Sequence, residues 1–120
     1  MLVELSENSL REMIINLPID NMIILKFTAE WCVPCKGIQP ICDKYKNIIS
    51  KNIIYLEIDI DESIEVFVKL KKCKMLNGVP ALLAYKGGER DVWYVPDDSV
   101  LGGDKEEVIK FFERCMTIIP

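Results

Sequence analysis

The hydrophobic and polar positions of this chain change period several times, and each change marks a predicted element. Residues 3–5 fit a short edge strand, and a capping-box pattern at residues 9–12 predicts a helix that keeps apolar spacing to position 17. A nearly continuous apolar run at residues 22–28 then predicts a strand that is covered on both faces. Lys26 is the one charged residue in that run.

Helical and strand patterns then alternate once more. Helical spacing resumes at Pro34, and Pro40 is expected to kink that helix because proline cannot continue the hydrogen-bond ladder. Residues 53–60 predict a second central strand. A cap at Asp61 or Ser63 starts a third helix with an apolar face and a lysine-rich solvated face.

The last third of the chain predicts a hairpin and a closing helix. Residues 82–85 form a strand, the glycines at 87–88 make a two-residue turn, and residues 90–95 return as an antiparallel edge strand. Asp104 and its acidic neighbours start the last helix. The order β-α-β-α-β-α-β-β-α predicts one α/β domain over residues 1–120, with a central mixed sheet and helices on both faces.

Composition and charge narrow the classes of function. The chain has 120 residues, a net charge of −4 and no His, so the commonest general base and any Cys–His nucleophile are absent. The negative charge argues against a nucleic-acid partner, and no apolar run approaches the ~20 residues of a membrane span. Residues 1–7 lack the features of a secretory signal, and the five cysteines are not spaced as a disulfide framework. A reducing, cytoplasmic location is therefore expected.

The candidate chemistry lies where the strand at residues 22–28 meets the next helix. Cys32 stands at the start of that helix, where unpaired N–H groups and the helix dipole favour a thiolate and lower a thiol's pKa. Cys35 follows about one turn later, close enough to form a disulfide with Cys32, and Pro34 suits the first helical turn. We interpret the pair as a redox dithiol. The alternatives are two unrelated core thiols or half of a zinc site. Zinc needs four ligands, usually including a second Cys pair or histidines, and the chain has no His and no second C-x-x-C.

The sequence WCVPCK at residues 31–36, directly after an apolar strand, resembles the thioredoxin family. The resemblance extends over nearly the whole chain and implies the thioredoxin fold. Pro40 matches a proline in the family's second helix, and Gly87-Gly88 matches its last hairpin. The family usually has Gly at the position of Val33 and Thr at that of Ala81, and a residue between the two cysteines tunes the reduction potential.

The resemblance also implies a substrate groove beside the dithiol. Val79-Pro80 resembles the family's cis-proline loop, in which the proline lies against the dithiol and the preceding backbone pairs with an extended substrate peptide. From the residues alone, a trans proline that opens the strand is the simpler interpretation of Pro80, and a core position that of Trp31. Gly102 or Gly103 would lie on the rim of the groove, and the loop at residues 96–103 is longer than the family's. The expected substrate-binding residues are Trp31, Val33, Pro34, Val79, Pro80 and Gly102.

The largest departure from the family concerns two charges. Lys26 stands where thioredoxins usually have a buried Asp that moves the proton of the second cysteine, and Glu57 stands where the neighbouring strand usually has Lys. We hypothesise a Lys26–Glu57 pair beneath the dithiol, with Glu57 as proton acceptor for Cys35, since buried charges are tolerated mainly when paired. The expected catalytic residues are then Cys32, Cys35, Glu57 and Lys26. The alternative is that both charged side chains reach solvent at sheet edges.

The other three cysteines have simpler interpretations. Cys42 and Cys115 fit buried small hydrophobes. Cys73 lies among lysines at 71, 72 and 74, which lower a thiol's pKa, so an exposed Cys73 is a candidate for glutathionylation or an intermolecular disulfide, against an inert thiol.

The resemblance implies a monomeric thiol–disulfide oxidoreductase that reduces protein disulfides through Cys32 and Cys35. No cofactor is expected on the chain, and a separate NADPH-dependent thioredoxin reductase would return the electrons. The implied partners are disulfide-containing proteins and that reductase. Two rival functions stay open: an oxidase or isomerase with the same fold, and a non-catalytic binding subunit that recognises a partner through the groove beside Pro80.

Overall fold

Nine elements build the fold of this chain, whose structure, a computed structural model, describes residues 2–120. The strands are β1 (Leu2–Val3), β2 (Met22–Thr28), β3 (Ile53–Asp59), β4 (Ala81–Lys86) and β5 (Asp98–Leu101). The helices are α1 (Glu7–Ile15), α2 (Val33–Lys46), α3 (Ile64–Lys72) and α4 (Lys105–Ile118). The predicted order β-α-β-α-β-α-β-β-α is confirmed.

The five strands form one mixed sheet in the order β1-β3-β2-β4-β5. The strand β2 lies at its centre, parallel to β3 and antiparallel to β4, and its first six residues are buried. That burial on both faces explains the nearly unbroken apolar run in its sequence. Because β4 runs opposite to β2 and β3, the segment that precedes β4 lies at the same end of the sheet as the segments that follow β2 and β3.

Each face of the sheet has its own core. On one face Ile23, Leu25 and Phe27 of β2 belong to a cluster with α1 and α3, and on the other Met22 and Ile24 belong to a cluster with α2 and α4. This division follows from the alternation of side chains along a strand. Lys26 therefore belongs to the face covered by α2 and α4.

The start of α1 and the cap of α3 differ from the sequence prediction. The helix α1 begins at Glu7, not at residue 9, because Ser6 takes an extended backbone and its hydroxyl accepts the Ser9 N–H at 3.1 Å. Ser63 precedes α3 as predicted, but its hydroxyl makes no cap bond to that helix. It accepts the N–H of Leu5 at 3.0 Å and so ties the start of α3 to the segment after β1.

The predicted edge strand at residues 90–95 is wrong, since the chain returns to the sheet only at β5. Arg90 explains the difference: it donates to the carbonyl of Lys86 at 2.9 Å and the carboxylate of Asp97 at 2.8 Å, and lies over the Tyr85 ring. Asp97 also accepts the Lys86 N–H at 2.7 Å, and its own N–H donates to Ala84. The long segment is thus the loop at residues 87–97, and the middle of the expected 96–103 loop, residues 98–101, is the strand β5.

Gly87 does not form the predicted two-residue turn. Its N–H donates to the carbonyl of Asn21 at 2.9 Å, and a Cβ at this position would lie 1.8 Å from the carbonyl oxygen of Pro18. The glycine is needed because the end of β4 passes against the backbone that precedes β2. On the far side of the loop, Arg114 of α4 holds Asp98 of β5 through two hydrogen bonds.

Candidate functional site

The two cysteines of the C-x-x-C sequence form a disulfide at the start of α2. Cys32 is the N-cap residue and Cys35 lies in the first turn, with 5.3 Å between their Cα atoms. The Cys32 sulfur accepts the N–H of Cys35 at 3.2 Å, and Pro34 occupies the first turn. The sequence spacing therefore predicted the position of this pair correctly. At a helix N-terminus the unpaired N–H groups stabilise negative charge on a cysteine sulfur.

The dithiol lies under an exposed apolar rim. Cys32 is 3% exposed and Cys35 1%, whereas the adjacent Trp31 is 64% and Val33 75% exposed. Trp31 and Val33 flank Cys32 in sequence, so a partner that comes to Cys32 meets exposed apolar side chains. Exposed apolar groups of this size commonly mark a contact surface.

Two further segments converge on the dithiol. The Val79–Pro80 peptide bond is cis, and Val79 packs against the cluster that contains both cysteines. Gly102, which has a φ of 99°, donates its N–H to the Pro80 carbonyl at 2.9 Å. Gly103 approaches Pro34 so closely that a Cβ there would lie 3.0 Å from the Pro34 Cβ. The segments with Val79–Pro80 and Gly102–Gly103 thus meet beside Pro34 in the first turn of α2, and the substrate-binding role of these residues stays a prediction.

Asp61 is a neighbour of the site that the sequence did not single out for function. The Trp31 indole N–H donates to its carboxylate at 2.9 Å. This bond holds the exposed indole in one orientation beside Cys32. The interpretation of Trp31 as a core residue is wrong, because the side chain lies on the surface.

The two exchanged charges lie behind α2, and Gln39 joins them. Lys26 is fully buried and Glu57 is 9% exposed, so the alternative in which both reach solvent is wrong. The expected direct pair is also corrected: the Lys26 ammonium donates to the Gln39 carbonyl oxygen, and the Gln39 NH₂ donates to Glu57 at 2.9 Å. Gln39 reaches both groups because β2 and β3 place Lys26 beside Glu57 under α2.

This network extends to two more side chains, Tyr55 and Asp43. The Tyr55 hydroxyl donates to Glu57 at 2.8 Å, and burial above all, together with the neighbouring Cys42 and Glu57, raises the pKa of Tyr55. The Gln39 NH₂ also donates to Asp43 at 2.9 Å, and this bond lowers the pKa of the Asp43 carboxyl. The sequence signal for this network was a polar Gln39 four residues after Cys35, on the helical face that bears the second cysteine.

The remaining cysteines divide into two kinds. Cys42 and Cys115 are buried, as expected, and burial raises the pKa of both thiols, that of Cys115 to about 12. They are therefore protonated at neutral pH. Cys73 is half-buried at the C-terminal cap of α3, and its expected modification stays a prediction.

Within residues 2–120, no three His, Cys, Asp or Glu side chains come together in a way that would hold a metal ion. Over the same range, none of the helices combines the length and the apolar character needed to cross a bilayer.

A mixed five-stranded sheet between helices, with a C-x-x-C pair at the start of α2, defines a thioredoxin fold with a redox-active site. The thioredoxin family model matches residues 1–113, and the chain belongs to this family. Family membership and the cysteine pair at the family's active-site position support an oxidoreductase of the thiol–disulfide type.

Curated relatives and solved structures agree with this assignment. The chain is 34% identical over 76 residues to a thioredoxin of Mus musculus, a match that covers 59% of this chain and 63% of that protein. It is 28% identical over 100 residues to thioredoxin H3 of Arabidopsis thaliana, covering 82% of this chain and 74% of the relative. The thioredoxin structure of Fasciola hepatica matches 95% of this chain and 98% of its own, with 22% identity and a TM-score of 0.71. That structural likeness shows the fold.

Proposed function

We propose that this chain is a protein-disulfide reductase that works through Cys32 and Cys35. The observation that carries the proposal is the Cys32–Cys35 disulfide at the N-terminus of α2, under an exposed apolar rim, in a chain of the thioredoxin family. The pair supplies both a nucleophile and a resolving thiol three residues apart. The proposed setting is a monomer in the cytoplasm.

The reaction starts from the reduced dithiol. The Cys32 thiolate attacks one sulfur of a substrate disulfide, and the other substrate sulfur leaves as a thiolate that takes a proton from solvent. Cys35 then loses its proton and attacks the Cys32 sulfur of the mixed disulfide, which releases the second substrate sulfur and forms the Cys32–Cys35 disulfide. The substrate gains two electrons and the dithiol loses two.

The proton of Cys35 needs an acceptor, and we assign this role to Glu57. Its carboxylate is buried behind α2 and is oriented by hydrogen bonds from Gln39 and Tyr55. To restore the dithiol, a separate NADPH-dependent thioredoxin reductase delivers two electrons, and two protons are taken up. The chain itself carries no cofactor in this scheme.

The substrate is proposed to lie on the rim formed by Trp31, Val33, Pro34 and Gly102, with its backbone along Val79. This proposal is supported by the exposed apolar surface of Trp31 and Val33 beside Cys32, and by the contact of the Gly102–Gly103 segment with Pro80 and Pro34. The long loop at residues 87–97 follows the end of β4 that is remote from Pro80, so it is proposed to contribute no contact to this peptide.

A reduction assay tests the proposal. With dithiothreitol as electron donor and a disulfide-containing model protein as substrate, the wild type should accelerate reduction and Cys32→Ser should lose this activity. Cys115→Ser is the matched control, since it removes a buried thiol of α4 and should keep the wild-type rate. Equal rates for the wild type and Cys32→Ser would favour a binding subunit.

The reduction potential separates the reductase from an oxidase or isomerase. It is measured by equilibrating the purified protein with defined ratios of reduced and oxidised glutathione. A potential near the low end of the range for this fold supports the reductase, because a stabilised reduced form makes a strong oxidant.

A further inference from the structure

Behind α2, a chain of hydrogen bonds links a buried cation to two carboxylates. Lys26 donates to the carbonyl oxygen of Gln39, whose NH₂ donates to Glu57 and to Asp43 at 2.9 Å each. Lys26 is 0% exposed, and of residues 2–120 it is the one Lys or Arg that is buried. A buried ammonium group is costly unless it is hydrogen-bonded and paired.

The chemistry of the Gln39 amide fixes its orientation. An ammonium group only donates, so it requires the amide oxygen, while carboxylates only accept, so they require the amide NH₂. Gln39 therefore fits between Lys26 and Glu57 in one orientation, and it separates two opposite charges that would otherwise pair directly. The hydrogen bonds thus link the Lys26 ammonium group to the carboxylates only through the Gln39 amide.

The position of Gln39 brings this cation close to the dithiol. Residues four apart on a helix lie on the same face, one turn of about 5.4 Å along the axis, so Gln39 follows Cys35 on α2. With the length of the Gln39 side chain included, the Lys26 ammonium lies on the order of 10 Å from the Cys35 sulfur.

The other groups that face Lys26 define its electrostatic surroundings. Strand β3 contributes Glu57, Tyr55 and, near its end, the buried Asp59; α2 contributes Cys42 and Asp43. Strand β4 and α4 contribute apolar side chains to this core. Lys26 already lowers the pKa of the Cys42 thiol against the opposing effect of burial, so its charge acts on a thiol of α2.

We propose that Gln39 is a positioning residue that holds the Lys26 cation behind the dithiol, and that this cation stabilises the thiolate form of the reduced pair. The proposal rests on the thiol–disulfide exchange proposed above. Reduction of the disulfide takes two electrons and, where one sulfur stays ionised, one proton, so a fixed cation stabilises the product and favours reduction. Lys26 thereby raises the reduction potential of the pair.

The expected size of the shift in the redox equilibrium follows from Coulomb's law. At roughly 10 Å and an effective dielectric constant of about 20, removal of one unit charge changes an equilibrium constant roughly tenfold. The nearby carboxylates act in the opposite sense and remain when Lys26 is replaced, so the direction of the change is fixed.

The double variant Lys26→Met/Gln39→Met tests the proposal. It replaces both partners of the hydrogen bond by apolar chains of similar length, a change that leaves no unsatisfied ammonium in the core. In glutathione redox buffers its disulfide should be favoured about tenfold over wild type, and the pKa of Cys32, from the pH dependence of its alkylation, should rise. Lys51→Met, which removes an exposed lysine, is the charge-matched control and should change the equilibrium less than about twofold.

A second variant guards against loss of the folded state. Lys26→Gln removes the charge but keeps an N–H donor for the Gln39 carbonyl oxygen, so Gln39 can still donate to Glu57 and Asp43. It should shift the glutathione equilibrium in the same direction by at least about threefold, whereas a purely packing role for Lys26 predicts no shift.

The possible outcomes separate two failures. If the wild type does not reduce a model disulfide, the proposed function fails and this inference with it. If the wild type is active but both variants keep the wild-type equilibrium constant, only the inference is overturned. Loss of circular dichroism in both variants would also overturn it, since the cluster would then serve folding.

Discussion

Gly87 offers a sharp test of the packing that joins the end of β4 to the segment before β2. In a Gly87→Ala variant, the added Cβ would lie 1.8 Å from the carbonyl oxygen of Pro18 and 2.9 Å from that of Leu17. Real Cβ contacts stay beyond 3.0 Å, so the two segments must separate by at least 1.2 Å. No flexible side chain absorbs the change, because the atoms it meets belong to the backbone.

The magnitude follows from what that separation breaks. The Gly87 N–H bond to the Asn21 carbonyl, 2.9 Å long, lies at the same contact and would be lost or stretched. Overpacking costs about 1–3 kcal/mol and a buried hydrogen bond about 1 kcal/mol, so the free energy of unfolding should fall by about 3 kcal/mol. That is a large share of the roughly 5–15 kcal/mol of a typical domain.

Urea unfolding of the oxidised proteins measures this loss. Gly37→Ala is the matched control, because Gly37 lies in α2 and a Cβ there meets nothing within 4 Å. It should raise the free energy of unfolding by up to about 1 kcal/mol, since Ala is the better helix former. If Gly87→Ala unfolds within 1 kcal/mol of the wild type, the close approach at Pro18 does not constrain the fold as described.

Three further predictions concern single groups. Glu57→Gln should slow the attack of Cys35 on the mixed disulfide, and so the release of substrate, at least about tenfold without slowing formation of the mixed disulfide. Equal release rates in stopped flow would remove Glu57 as proton acceptor. Gln39 lowers the pKa of Asp43, so the ionised Asp43 stabilises the fold above about pH 4 and that contribution is lost as the pH falls further. Asp43→Asn should therefore flatten the acid side of stability measured by urea unfolding between pH 2 and 7, and an unchanged slope would contradict this. Iodoacetamide at pH 8 should spare Cys42 and Cys115 in the reduced folded protein, since burial raises the pKa of both thiols; mass-spectrometric labelling of either one would show that it is accessible.

The sequence predicted the order of elements and the dithiol because both depend on local patterns. The strand β2 is buried on both faces and so is almost entirely apolar, while the dithiol and Pro34 occupy fixed positions at the start of a helix. Together these two features made the thioredoxin fold predictable from the sequence. Such signals need no knowledge of distant residues.

The strand β5 could not be placed from local pattern, because a long-range network decides where it begins. Arg90 and Asp97 hold the loop against the end of β4, and their bonds outweigh the β propensity of Trp93 and Tyr94. The role of Gln39 was missed for the same reason. Its two charged partners come from β2 and β3, and only the folded sheet brings them to one helix face.

The three-residue separation of Cys32 and Cys35 determines how much the stability of the protein changes during its reaction cycle. A crosslink restricts the denatured ensemble by an amount that grows with the logarithm of the loop it closes, so this short ring confers roughly 2 kcal/mol, less than half of what a 100-residue loop would give. The reduced protein should therefore unfold at a thermal midpoint only several degrees below that of the oxidised protein.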